Sequence, residues 1–126
     1  ILKENMIKSI KLPVSAPFHC SLMDKATQIM SKELNELKFT QSKNKLISNV
    51  TAKEISSTDE LKNLLIRQIE NRVRWRESVI NMINNDVNHF IEIGPGKVLS
   101  GLVKRINKEV KISTINNQGD IEGLEI

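Results

Sequence analysis

Histidine, cysteine and serine are common catalytic bases and nucleophiles, and this sequence contains two histidines, one cysteine and several serines. His19 and His89 are far apart and Cys20 is the only thiol, so no zinc-binding spacing occurs. His19 and Cys20 are neighbours, and neighbouring side chains in an extended segment point to opposite faces, which argues against a catalytic Cys–His pair. By spacing alone, His19 is more simply a structural loop histidine, and His89 a polar residue satisfied within the fold.

A serine nucleophile is not recognisable in the sequence. The hydrolase elbow Gly-x-Ser-x-Gly holds its serine on a strained turn, and no serine here has that context. Ser100 is followed by Gly101, but Val98 stands two positions before it. The chain therefore contains a possible base without a nucleophile.

The run Gly94-Pro95-Gly96-Lys97 invites comparison with a phosphate-binding loop. A Walker A motif would need glycine where Ile91 stands and Ser or Thr where Val98 stands, so that interpretation fails. A tight turn from strand to helix explains the glycines better. The free N–H groups that open the following helix could still face an anion, which is the less favoured interpretation.

Composition limits the possible partners. The 126 residues carry a net charge of +4, but the basic residues are interleaved with acids, which favours a solvated surface over a nucleic-acid site. No apolar run approaches the roughly 20 residues of a membrane span, and no secretory signal opens the chain. A single cysteine fits a reducing compartment. The opening Ile1 suggests a fragment or a processed product.

Hydrophobic spacing predicts an alternation of helices and strands. The predicted helices carry apolar stripes and the strands are short apolar runs. The helical stripes are Leu22, Ala26, Met30, Leu34 and Leu37; Leu61, Leu64, Leu65 and Ile69; Trp75, Val79, Met82 and Ile83; and Val98, Leu99, Leu102, Val103 and Ile106. The strands are residues 46–50, 89–93 and 110–115, and the run 10–15 is extended with Pro13 inside it.

Capping signals and connectivity complete the predicted fold. Ser21 with Asp24, and Ser57 with Glu60, have the spacing of capping boxes, and Asn71 separates two helices. Strands separated by helices predict parallel pairing in a small α/β layered sheet. Residues 117–126 are predicted to be a frayed tail.

Gln68 interrupts an apolar helical face, and Trp75 lies between two arginines. Gln68 lies on the same face as Leu65 and Ile69, so it is predicted to be buried and to need partners there. Trp75 is flanked by arginines and could stack on a base, but it continues the apolar stripe with Val79, which favours core packing.

Several motifs together resemble the malonyl-CoA:acyl carrier protein transacylases. They follow the family's order and spacing from about Leu12 to Ile115, and they are Val14-Ser15-Ala16-Pro17-Phe18-His19-Cys20-Ser21-Leu22-Met23, Ile47-Ser48-Asn49-Val50, Arg67-Gln68-Ile69, Val73-Arg74-Trp75-Arg76-Glu77-Ser78-Val79, and Phe90-Ile91-Glu92-Ile93-Gly94-Pro95-Gly96-Lys97-Val98-Leu99-Ser100-Gly101-Leu102. Several motifs in the right order are far more specific than any one of them.

The resemblance implies the C-terminal portion of a two-part enzyme. Residues 1–12 would be the last helix and strand of a ferredoxin-like small subdomain. Residues 13–116 would be the end of a hydrolase-like α/β subdomain, with residues 117–126 as the tail. The family's serine elbow Gly-His-Ser-Leu-Gly, its oxyanion-hole loop and its malonyl-binding arginine have no counterpart in this chain.

The resemblance also implies site residues and a reaction. His19 would be the general base, Gln68 would orient it through its backbone carbonyl, and Val98, near the rim of the site, could contact substrate. Malonyl would pass from coenzyme A to the serine and then to acyl carrier protein in fatty acid synthesis, without metal or redox cofactor. The enzyme would be cytoplasmic or lie in an organelle with type II fatty acid synthesis. The alternative is a non-catalytic interaction module derived from the same fold.

Overall fold

Two parallel strands and the helices around them form the centre of the fold. The computed structural model describes residues 16–124. The expectations for residues 1–12 and for the extended run 10–15 lie outside the described residues. The elements are a 3₁₀ turn at Ser21–Met23, α1 (Asp24–Glu36), α2 (Thr58–Gln68), α3 (Trp75–Asn84), β1 (His89–Ile93), α4 (Val98–Ile106), β2 (Lys111–Ile115) and α5 (Gln118–Glu122).

The sheet of the described residues has two strands. β1 pairs with β2 in parallel, with His89 opposite Lys111 and Ile93 opposite Ile115. α4 makes the crossover between them, so the predicted parallel pairing across a helix is confirmed.

The predicted strand at residues 46–50 is wrong. A single antiparallel bridge joins Ile47 to Glu54, and between them the chain reverses in a tight turn, residues 48–53. The Ser48 N–H donates to the Lys53 carbonyl at 2.9 Å, and the Ser48 hydroxyl accepts from the Val50 N–H at 3.1 Å. Because Ser48 satisfies nearby backbone groups locally, the segment gains less from pairing in a longer sheet.

The hydrophobic core lies where α3, α4 and the strands meet. Val79 is fully buried, and Val103 and Val110 are 3% and 6% exposed. The half-buried residues packed against this cluster are Trp75, Met82, Ile83, Phe90, Ile106 and Ile112. The prediction that Trp75 packs in the core is confirmed.

Helix α1 is present as predicted, but much of its apolar stripe is open. α1 packs against α2, yet Leu22, Met30 and Leu37 are 76%, 44% and 57% exposed. The predicted capping box of Ser21 and Asp24 is not formed. Ser21 begins the 3₁₀ turn, so the N-cap of α1 is Met23, which has no side chain able to accept the helix N–H groups.

Helix α2 begins with the predicted cap. The Ser57 hydroxyl accepts from the Glu60 N–H at 3.1 Å, as a helix N-cap does. In a capping box the Glu60 carboxylate would accept in return from the N–H of the cap residue, Ser57. Here it accepts instead from the N–H and the hydroxyl of the preceding residue, Ser56, at 2.7 and 2.6 Å. These bonds, the hydroxyl foremost, hold the pKa of Glu60 below its ordinary value.

The segment predicted as a frayed tail contains the helix α5, which packs against β2. Asn117 and Asp120 form a complete capping box at its start. Asx residues three apart were present in the sequence and carry this signal. Among residues 16–124, none of the helices combines the length and apolar character that a membrane span requires.

Candidate active site

His19 lies in an irregular turn just before the 3₁₀ turn. Its φ is +58°, in the left-handed region, and its side chain is exposed. The expectation of an extended segment at residues 19–20 is therefore wrong at His19, whereas Cys20 has extended backbone. The Cys20 thiol donates to the Pro17 carbonyl at 3.1 Å, whereas His19 bonds elsewhere, so the two side chains are not paired with each other.

The ring of His19 is bonded to the end of helix α2. Its Nδ1 lies 2.9 Å from the backbone carbonyl oxygen of Gln68, the contact that the resemblance implies. Gln68 is the last residue of α2, and the last four carbonyls of a helix lack intrahelical partners, so this oxygen is free to accept. A carbonyl only accepts, which puts the proton on Nδ1 and leaves the lone pair of Nε2 available to receive a proton.

The orienting group is a neutral carbonyl and not a carboxylate. Within residues 16–124, none of the ion pairs or hydrogen bonds joins His19 to an Asp or Glu. The C-terminal end of a helix carries partial negative charge, which complements an imidazolium formed on the ring. The end of the helix thus provides part of the electrostatic stabilisation that a carboxylate would give to an imidazolium.

The side chain of Gln68 is tied in its turn to Asn49. Gln68 is half-buried, and its Oε1 accepts from the Asn49 Nδ2 at 3.2 Å. The prediction that Gln68 needs a polar partner is confirmed. Sequence reasoning gave Asn49 no role because it was placed in a strand. The adjacent polar pair Ser48-Asn49 inside an apolar run was the available signal.

The turn of residues 48–53 is attached to helix α3. The Arg74 N–H donates to the Asn49 carbonyl at 2.8 Å, and the Asn81 Nδ2 donates to the Ala52 carbonyl at 3.0 Å. The Arg74 guanidinium is paired with Glu77 at 3.3 Å. The pKa of Glu77 is lowered, chiefly by its own backbone N–H and also by Arg74.

A carboxylate from the chain itself, that of Glu92, binds the N–H groups at the start of helix α4. Glu92, on β1, accepts from the Leu99 and Ser100 N–H groups at 3.1 and 2.8 Å. The Ser100 hydroxyl and these N–H groups lower the pKa of Glu92. Since two N–H groups that an external anion would need already bind Glu92, the turn interpretation of the glycine run is favoured over an anion site. Gly94 and Gly96 have φ of +132° and +102°, which explains the need for glycine.

The remaining candidates take no part in these hydrogen bonds. Val98 is the first residue of α4 and is 72% exposed, and the hydrogen bonds that join His19, Gln68 and Asn49 do not extend to it. His89 Nε2 lies 2.9 Å from the Ser113 hydroxyl on the neighbouring strand, so it is satisfied within the fold as predicted. In the described part of the chain, no group of three or more His, Cys, Asp or Glu side chains could hold a metal ion.

Comparison with known proteins gives one consistent result. The malonyl CoA-acyl carrier protein transacylase of Staphylococcus aureus is 38% identical over 112 residues, which is 89% of this chain and 36% of that protein. The solved structure of the transacylase of the same name from Clostridium perfringens matches with a TM-score of 0.89 and 38% identity, covering 97% of this chain and 39% of the other.

A second similar structure is a complex. It contains a malonyl-transacylase with its type II PKS acyl-carrier protein, and it matches with a TM-score of 0.82 and 34% identity over 88% of this chain and 36% of the other. No protein-family model matches the sequence. The chain thus spans between a third and two-fifths of the length of these relatives.

Proposed function

The chain belongs to the malonyl CoA-acyl carrier protein transacylase family, and from this premise we propose that it supplies the histidine half of an acyl-transfer site. The observation that carries the proposal is the 2.9 Å contact between His19 Nδ1 and the Gln68 carbonyl. In the neutral ring that contact places the proton on Nδ1 and leaves the lone pair of Nε2 able to accept a proton, as a general base requires. The proposed reaction moves a malonyl group from coenzyme A to acyl carrier protein.

In the proposed mechanism, His19 moves one proton in each half-reaction. Nε2 takes the proton of a serine hydroxyl as the serine oxygen attacks the malonyl thioester carbon. The tetrahedral intermediate collapses, the C–S bond breaks, and Nε2 returns the proton to the thiolate of coenzyme A. In the second half, Nε2 takes the proton of the phosphopantetheine thiol, the sulfur attacks the acyl-serine, and the proton returns to the serine oxygen.

The serine, the oxyanion-hole donors and the arginine for the malonyl carboxylate are proposed to come from polypeptide outside these 126 residues. The resemblance assigns this chain to the C-terminal, hydrolase-like part of the enzyme. The matched relatives are more than twice as long, which supports a further segment packing against the chain. The exposed apolar residues of α1 and of the turn before it, including Phe18, Leu22 and Ile29, offer a surface for that packing.

The proposed partners are those that the relatives' names state. Malonyl-CoA and acyl carrier protein would be the donor and acceptor, and Val98 would contact substrate at the rim of the site. Fatty acid synthesis in the cytoplasm, or in an organelle with a type II system, is the proposed setting. The chain by itself should transfer no malonyl, because a base without a nucleophile or oxyanion hole has nothing to activate.

A chimeric enzyme tests the proposal. The matching segment of the Staphylococcus aureus transacylase would be replaced by this chain, and transfer of labelled malonyl from malonyl-CoA to acyl carrier protein would be measured. We expect transfer by the chimera and none by the 126-residue chain alone. A folded chimera that transfers nothing, or transfer by the isolated chain above the no-protein control that is abolished in His19→Ala, would overturn the proposal.

A further inference from the structure

We propose that Asn49 is a positioning residue for His19, acting through the side chain of Gln68. The inference rests on the proposed role of His19 as a base and adds a residue that the sequence analysis left without a role. Its basis is a chain of two hydrogen bonds: Asn49 Nδ2 to Gln68 Oε1 at 3.2 Å, and Gln68 O to His19 Nδ1 at 2.9 Å.

The residue that orients His19 sits where a helix is least constrained. Terminal turns of helices fray because their carbonyls lack intrahelical partners. The end of α2 is closed by Asn71, whose N–H and side-chain Nδ2 both donate to the Arg67 carbonyl, at 3.1 and 2.7 Å. Those bonds hold the residue before Gln68. The bond from Asn49 holds Gln68 itself.

The other end of this linkage is fixed to the core. The Asn49 carbonyl accepts from the Arg74 N–H, and Arg74 directly precedes α3, the helix that carries the fully buried Val79. A second bond, from Asn81 of α3 to Ala52, holds the far side of the same turn. The turn of residues 48–53 is bonded at two points to α3 and the residue before it. The bond from Asn49 to Gln68 therefore ties the end of α2, and with it the ring of His19, to the core.

The chemistry of the bond predicts which substitutions preserve it. Alanine at position 49 has no donor, so the Gln68 side chain loses its partner. Aspartate has no N–H but can accept, and the Gln68 amide can rotate to donate its own Nε2. Asn49→Asp should therefore restore what Asn49→Ala removes, whereas Asn49→Leu, which is similar in size to asparagine but forms no side-chain hydrogen bond, should not. A purely space-filling role for Asn49 would let both variants restore it.

Nuclear magnetic resonance of the ring nitrogens tests this on the 126-residue chain. In the unmodified chain His19 should be mainly the Nδ1–H tautomer, since its partner is a carbonyl. Asn49→Ala should raise the population of the Nε2–H tautomer and speed exchange of the Nδ1 proton. The signals of His89, which bonds to Ser113, should not change and serve as the internal reference. Asn35→Ala, which removes a side-chain bond on the exposed face of α1, is the matched control.

Two further variants keep the test decisive. Gln68→Ala removes the same bond from its other end while keeping the backbone carbonyl, so it applies even if Asn49→Ala does not fold. Asn49→Ala and Gln68→Ala combined should alter the His19 signals no more than either change alone, because both remove the same hydrogen bond. Unchanged His19 signals in Gln68→Ala and in a folded Asn49→Ala would overturn the proposal, as would equal changes in Asn35→Ala.

Activity of the chimera provides a second measurement. Asn49→Ala should lower kcat about fivefold, the size expected for one net hydrogen bond, with KM for malonyl-CoA unchanged, and Asn49→Asp should recover most of the loss. An inactive chimera would count against the proposed function, whereas the tautomer measurement would still decide the role of Asn49. A change in KM with kcat unchanged would contradict positioning of the base.

Discussion

The α3–β1–α4–β2 region and the region around His19 are held together by different forces. In the first, Val79, Val103 and Val110 are almost wholly removed from water, so burial of apolar surface stabilises the packing. Around His19, the side chains of Phe18 and Leu22 are 60% and 76% exposed. The His19 ring is held by its hydrogen bond to the Gln68 carbonyl. The stable region is therefore the scaffold, and the proposed base lies on a turn beside it.

This difference has a consequence for function. A base must reach its substrate, so it lies on exposed, irregular chain that a rigid scaffold positions. In our proposal, the linkage from α3 through Asn49 and Gln68 provides that positioning without burying His19. Substitutions in the two regions should therefore have different effects. Substitutions in the core should lower stability, and substitutions around His19 should lower activity.

The largest expected effect is the loss of activity in His19→Ala. In the chimera this change should lower kcat by about 10²–10⁴-fold, the usual contribution of a general base. The melting temperature of the 126-residue chain should hardly change, because His19 is exposed. Gln68→Ala should cost much less activity, since the orienting carbonyl belongs to the backbone. Equal losses in the two variants would show that the Gln68 side chain itself takes part in the reaction.

Val79→Ala should give the largest loss of stability. Removing two methyl groups from a fully buried site should lower the free energy of unfolding by about 2 kcal/mol. Urea unfolding measures this, with Ile29→Ala on the exposed face of α1 as the control. The His19 tautomer in the folded Val79→Ala chain should match that of the unmodified chain. A loss of the His19–Gln68 contact there would show that the two regions are not separable.

The exposed face of α1 should affect association and not stability. The chain alone should self-associate through this face, and Leu22→Ser with Ile29→Ser should reduce the mass seen by light scattering. Because both side chains are mostly exposed, the free energy of unfolding should change by less than about 0.5 kcal/mol. A monodisperse monomer of the unmodified chain would contradict this surface as a packing face.

The smallest expected effect is that of Glu92→Gln, and it depends on pH. The pKa of Glu92 is lowered in the folded chain by the Ser100 hydroxyl and the N–H groups at the start of α4. A lowered carboxyl pKa contributes stability above the unfolded value, and this contribution disappears as pH falls through the folded pKa.

Glu92→Gln should therefore lower the melting temperature at pH 7, and the difference should vanish in acid. Thermal melts followed by circular dichroism between pH 7 and pH 3 measure this, with Glu33→Gln on exposed α1 as the control. A difference that stayed constant across this range would show that the charge of Glu92 is not responsible.

Local patterns determined most of the helices and two of the strands. The stripe from Leu61 to Ile69 with the Ser57 cap predicted α2, and the apolar runs at residues 89–93 and 110–115 predicted the parallel pair. The Ser21–Asp24 cap failed, and α5 was missed although Asn117 and Asp120 have capping spacing. Caps are local signals, but neighbouring turns decide whether the cap residue stands at the helix start.

The site depended on contacts that spacing within the sequence does not reveal. His19 and Gln68 are 49 residues apart and Asn49 and Gln68 are 19 apart, so composition and periodicity gave no measure of their distances. The resemblance to known transacylases named His19 and Gln68 but gave Asn49 no role, and the hydrophobic pattern placed Asn49 in a strand that does not form. Only the folded chain brings the three together, because the packing of α3 fixes the 48–53 turn against the end of α2. Residue types show which side chains are able to do the chemistry, but only the fold brings particular ones together, since a hydrogen bond requires atoms within about 3 Å of each other.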